Sequence, residues 1–143
     1  MAEVHPKFDV SLVTPEGDAF RGPVELLIVP GAAGEIGVLA RHAPLVATLQ
    51  AGSTRVHVSA TEVLEFATGP GFFKVELDRA LALVDDAVSV KEIDDARARE
   101  QLEAAQAELA KVEAGDSTAD RWQLEQRIRH AENQLSVSGR TTG

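Results

Sequence analysis

The sequence predicts an α+β fold, in which an all-β domain is followed by an antiparallel two-helix hairpin. Three observations carry this reading. From Phe8 to about Glu92 the apolar residues come in period-two runs or short continuous blocks, punctuated by Gly, Pro and acidic turn residues. At Ile93 the β-branched residues and glycines give way to Ala, Glu, Gln, Arg and Leu, all strong helix formers. Beyond that point Gly115, Asp116 and Ser117 interrupt the helical pattern between two apolar stripes.

The strands follow in order. Phe8, Val10 and Leu12 alternate up to a turn at Thr14 to Asp18, and Val24 to Val29 forms an apolar block broken only by Glu25. Gly31 to Gly37 reads as a turn-forming loop. Further strands are expected at Leu45 to Leu49, Arg55 to Ser59, Val63 to Ala67, Phe72 to Leu77, Leu81 to Val84 and Val88 to Val90. Their spacing is that of small sandwiches and barrels.

In the first helix Ala98, Leu102, Ala105, Leu109 and Val112 recur at helical intervals on one stripe, with Asp94 or Asp95 suited to its start. The short break at Gly115 makes the next helix antiparallel. That helix is expected from about Thr118, with Leu124, Ile128, Ala131 and Leu135 as its stripe and Trp122 near its start. Residues 136–143 are expected to fray. The domains therefore divide as 1–92 and 93–143.

At 143 residues, 44% hydrophobic and 26% charged, the chain has the composition of an ordinary globular protein able to bury a core. Its net charge is −9, with 13 acidic and 7 basic side chains up to Glu92 and 10 and 7 after it. Both halves repel phosphate backbones and anionic headgroups, so no nucleic acid partner is expected. There is no cysteine, which removes disulfides, thiolate metal sites and cysteine nucleophiles together. Met1 to Val10 lacks a basic region followed by an apolar run, and no stretch approaches the ~20 apolar residues of a membrane span. Membrane association is expected only through a partner.

Catalytic chemistry has no pattern to stand on. Gly31, Gly34 and Gly37 lack the spacing of a dinucleotide fingerprint, and no Gly-Lys-Ser/Thr is present. His5, His42, His57 and His130 share no metal-ligand spacing, and no serine sits in a Gly-x-Ser-x-Gly elbow. Arg121, Glu125, Arg127 and Arg129 read either as a solvated helix face, with Glu125 to Arg129 pairing, or as arginines that dock on an acidic partner.

Four segments, in order, resemble the epsilon subunit of F-type ATP synthases over about Phe8 to Val137. They are Gly34-Glu35-Ile36-Gly37, His42-Ala43-Pro44-Leu45, Ile93-Asp94-x-x-Arg97-Ala98 and Asn133-Gln134-Leu135-Ser136-Val137. The resemblance implies a ten-stranded β-sandwich at the foot of the rotating central stalk, packed on the gamma subunit and on the loops of the membrane ring of subunit c. It implies a non-catalytic subunit, peripheral at the cytoplasmic face of the membrane, with no required cofactor. Gly34, Glu35, Ile36, Gly37 and His42 look like ring and stalk contacts, or equally a structural turn and a proline-directed strand entry.

The hairpin in such proteins is a mobile switch that extends into the alpha/beta catalytic head and blocks ATP hydrolysis, with Arg121, Arg127 and Arg129 as its contacts here. Its first stripe alternates Ala with Leu or Val, and a buried large aliphatic contributes only ~1.5–3 kcal/mol, so a few kcal/mol would separate two states. Some relatives hold the hairpin down with ATP as a regulatory ligand, which the resemblance places at Ile93, Asp94, Arg97 and Ala98. Asp94 is equally explained as a helix N-cap and Arg97 as a surface residue. The nucleotide-binding pattern is departed from at Ala104 and near His130 and Gln134, where arginines are expected. Gly69-Pro70-Gly71 also departs from the family, in what reads as a hairpin turn. Two other classes remain: a free-standing ATP sensor, and a chaperone-like β and coiled-coil adaptor.

Overall fold

The computed structural model describes residues 6–142, with side chains through Gly139. The chain divides into two compact units between Ser89 and Val90.

The first unit holds ten strands: β1 (Phe8–Thr14), β2 (Gly17–Val24), β3 (Leu26–Gly31), β4 (Gly34–Leu39), β5 (Leu45–Leu49), β6 (Gly52–His57), β7 (Val63–Thr68), β8 (Gly71–Glu76), β9 (Arg79–Val84) and β10 (Ala87–Ser89). Their order is β10-β7-β6-β3-β5-β8-β9-β1-β2, with β4 added on β3. Neighbours are antiparallel except β1 and β9, which run parallel. The β3–β5 link is a single register position, Gly31 opposite Leu49, so the sheet folds there into two faces.

Period-two alternation explains which side chains enter the core. Phe8, Val10 and Leu12 are buried on β1 while Asp9 is exposed, and Phe73 and Val75 are buried on β8 while Phe72 and Lys74 face out. Val24, Leu27, Val29, Val38, Leu49 and Val56 complete the core from the other strands. Each such side chain contributes ~1.5–3 kcal/mol on burial. The buried hydroxyls of Thr54 and Thr68 satisfy one another at 2.9 Å.

Two strands are not expected from the sequence: β4 covers most of the expected Gly31–Gly37 loop, and β2 begins in the expected Thr14–Asp18 turn and runs through residues to which no element is assigned. Over Gly34–Leu39 the expected glycine loop is instead β4, paired along its length with β3, and the turn proper is only Ala32–Ala33. Gly31 is required there, because a Cβ would meet the Gly34 carbonyl oxygen at 2.6 Å. β2 contains Gly22 and Pro23 and lacks alternation, which its position at the sheet edge tolerates. The Gly69-Pro70-Gly71 segment is not a hairpin turn, since β7 and β8 are not neighbours. It crosses between the two parts of the sheet, and a Cβ on Gly71 would sit 1.8 Å from the Leu83 carbonyl oxygen.

β8 and β9 are joined by a two-residue turn, Leu77–Asp78, rather than by a strand reaching Leu77. Leu77 has φ 54°, at the turn position that usually takes glycine, and this left-handed conformation costs about 1–2 kcal/mol.

In the second unit, a 3-10 turn at Val90–Glu92 precedes α1 (Asp95–Glu113) and α2 (Arg121–Thr142), which pack against each other. Asp94 is the N-cap of α1, its Oδ1 accepting the Arg97 N–H at 3.1 Å. The other end is closed by Gly115 at φ 81°, with Gly115 N–H donating to the Val112 oxygen and Asp116 N–H to that of Lys111. α2 starts at Arg121 and not Thr118, because the Asp120 carboxylate accepts from the backbone of Trp122 and Gln123. Along the stripes Ala98, Ala105, Leu124 and Ala131 are buried, and Leu102, Leu109, Val112, Ile128 and Leu135 half-buried. α2 continues to Thr142, with Val137 and Ser138 buried in its last turns, and Gly143, the last residue of the tail expected to fray, lies outside the described residues.

Candidate docking surface

The outer face of β5, β8, β9 and β1 is apolar where alternation alone would make it polar. Phe72 on β8 is 64% exposed and lies between Thr48 on β5 and Leu83 on β9, which in turn lies beside Val13 on β1. One step along, Val46 pairs with Lys74 and Lys74 with Leu81, which lies beside Ser11. Val46, Phe72, Leu81 and Leu83 thus form one exposed cluster spanning three strands. Clusters of this kind on a folded unit mark interaction sites.

Charged residues lie within and beside it, Lys74 sitting between Val46 and Leu81. Lys74 pairs with Glu76 at 3.1 Å and Arg21 with Asp18 at 3.2 Å. Leu77, Arg79 and Leu81 line an open cleft of about 1030 Å³ that also takes in Arg21 and Asp9. Apolar side chains interspersed with paired charges suit a protein–protein contact surface. The sequence pattern assigns Val46, Phe72, Leu81 and Leu83 to strands but does not single out the face. Its signal was that Phe72-Phe73 and Leu81 to Val84 are apolar on both faces, as in strands covered on both sides.

The residues singled out from sequence fall in separate places. Gly34, Glu35, Ile36 and Gly37 all lie on β4, where Glu35 is exposed and ion-paired with Arg55 of β6, and Ile36 packs on the core. His42 lies past the far end of β4, in the connection to β5, its Nδ1 bonded to the Ala43 carbonyl at 2.7 Å. Ordered strand therefore separates the two groups.

In the second unit Ile93 is half-buried, Asp94 caps α1, Ala98 is buried, and Arg97 is exposed with no ion pair within 4 Å among the described residues. Arg121 is held by Glu113 at 3.1 Å and Glu125 at 3.0 Å. Glu125 thus pairs with Arg121 rather than with Arg129. Arg127 and Arg129 are exposed and make no ion pair within that distance among the described residues. Among the described residues, no three or more His, Asp or Glu side chains converge to hold a metal ion; His5 lies outside them.

Residues 7–90 match the family model described as the ATP synthase, Delta/Epsilon chain, beta-sandwich domain. The ATP synthase epsilon chain of Halalkalibacterium halodurans is 36% identical over 135 residues, covering 94% of this chain and 99% of the relative. The chain belongs to the ATP synthase epsilon family.

The fold of this epsilon-family chain recurs in solved assemblies. A chain of the Euglena gracilis mitochondrial ATP synthase, in its OSCP/F1/c-ring structure, superposes with a TM-score of 0.70 at 23% identity, covering 94% of this chain and 83% of that one. A chain of the Tetrahymena thermophila mitochondrial ATP synthase central stalk and c-ring superposes with a TM-score of 0.56 at 13% identity, covering 99% and 100%. No described helix of this epsilon-family chain is long and apolar enough to cross a membrane.

Proposed function

We propose that this chain is a non-catalytic rotor subunit of the central stalk. It joins the catalytic head to the membrane ring by contact, docking on gamma and on the subunit c loops at the cytoplasmic face of the membrane. The carrying observation is the exposed apolar cluster of Val46, Phe72, Leu81 and Leu83. Left bare it would favour aggregation, and covered by a stalk partner it removes that apolar area from water. Epsilon-family membership and the match to chains of ATP synthase assemblies support the same reading.

The helical hairpin is the regulatory part of this proposal, reaching the alpha/beta head and restraining ATP hydrolysis, with Arg127 and Arg129 offering exposed cations to an acidic surface. Co-purification with gamma and the ring, and a hydrolysis assay of the reconstituted enzyme, test both parts. A version ending at Glu92 should stay folded and join the rotor while hydrolysis control is lost. Unfolding of that truncation, or unaltered control of hydrolysis, would contradict the division of labour.

ATP as a ligand of the hairpin is a second reading, favoured by the exposed Arg97 guanidinium, which makes no ion pair within 4 Å among the described residues. Calorimetric titration decides it: absence of heat at millimolar ATP ends that reading.

A further inference from the structure

We propose that Leu77, with Arg79 beside it, is the anchor by which the β-sandwich locks onto its stalk partner. This deepens the docking proposal above and rests on it. The observation is a conflict between a residue and its place. Leu77 is 80% exposed and held at φ 54°, where a glycine would carry no penalty and where no core contact rewards a leucine. Backbone strain at an exposed aliphatic, unrelieved by packing within its own unit, is expected where the side chain serves another molecule.

The turn is also pinned rather than loose. The Asp78 carboxylate accepts the Arg41 N–H at 3.1 Å, and the Asp78 carbonyl accepts the Asp9 N–H at 2.9 Å. These bonds tie the turn to the β4–β5 connection and to β1, so Leu77 is presented in a fixed direction before any partner arrives, and little ordering remains to be done on binding. Arg41 is itself at φ 62°, so the two non-glycine residues with positive φ among the described residues meet at this one bonded junction.

The chemistry of the partner follows from what lies next to Leu77. Leu77, Arg79 and Leu81 line the same cleft, which continues into the exposed apolar cluster through Leu81. Glu76, opposite Arg79, is engaged by Lys74, and Arg79 makes no ion pair within 4 Å among the described residues. The fitting partner therefore carries an apolar socket for Leu77 and a carboxylate for Arg79, and aliphatic and Arg anchors in fixed positions are what make such a contact tight.

The test uses full-length chain and the cognate gamma subunit in complex with the catalytic head, comparing wild type with Leu77→Gly, Leu77→Asn and Arg79→Ala by binding affinity and melting temperature. Both Leu77 variants relieve the strain, so melting temperature should hold or rise while affinity falls about thirty-fold or more; Arg79→Ala should weaken binding about tenfold. Affinities of both Leu77 variants within twofold of wild type, with wild type binding, would overturn this inference alone. A fall in melting temperature in both variants would also overturn it, by making Leu77 structural. Failure of wild type to bind would instead overturn the docking proposal on which it rests.

Discussion

The Arg55 guanidinium, on β6, holds the Glu35 carboxylate of β4 across the intervening strand β3. The register explains the reach: Gly37 lies opposite Ile28, Ile28 lies opposite Arg55, and Glu35 is two residues along on the same face as Gly37. The two side chains retain 63% and 39% of their exposure, for Glu35 and Arg55 respectively, so solvent screens the pair.

Glu35→Gln is therefore expected to lower stability by less than about 1 kcal/mol, with the small loss shrinking further in high salt. Chemical denaturation at two ionic strengths checks this. A loss of several kcal/mol would mean that the pair is a structural pin and not a surface contact.

The glycines of the sandwich should divide sharply. A Cβ on Gly71 would fall 1.8 Å from the Leu83 carbonyl oxygen and 2.8 Å from the Val84 Cα, both backbone atoms that cannot swing aside, whereas a Cβ on Gly37 meets nothing within 4 Å. Gly71→Ala should cost about 2 kcal/mol or more, and Gly37→Ala should lie within about 0.5 kcal/mol of wild type. Urea midpoints of the two variants give the comparison, and similar values for both would contradict the packing described.

Asp94 carries two separable demands. As the N-cap of α1 it accepts the Arg97 N–H, and Asp94→Ala should destabilise the hairpin by about 1 kcal/mol while Asp94→Ser restores most of that. Thermal melts followed by circular dichroism measure the cap. Asp94→Ser also removes the carboxylate, so loss of ATP binding in this variant with α1 intact would assign Asp94 a ligand role beyond capping.

The parts of the molecule legible from sequence were those where one periodicity held over several residues. Phe8, Val10 and Leu12 announced β1, and the spacing from Ala98 to Val112 announced α1, with its Gly115 stop and a cap narrowed to Asp94 or Asp95. β2 and β4 were not legible because both are glycine-containing strands whose pairing comes from neighbours: Gly34–Leu39 is a strand only because β3 offers it a ladder. The crossing at Gly69 to Gly71 could not be told from a hairpin, since sequence shows that the chain bends but not which edge it rejoins. The docking face was hidden for a related reason. Phe72 and Phe73 look alike in sequence, and only the pleat shows that one fills the core while the other faces solvent.

That adjacent pair also gives the most direct test of a subunit that works by contact. Phe73 is fully buried and Phe73→Ala should cost about 3–5 kcal/mol, weakening the whole sandwich. Phe72→Glu should leave the fold standing, with melting temperature within a few degrees of wild type, and abolish binding to the cognate gamma subunit in complex with the catalytic head. A folded Phe72→Glu chain that binds as wild type does would contradict the assignment of this face to the stalk.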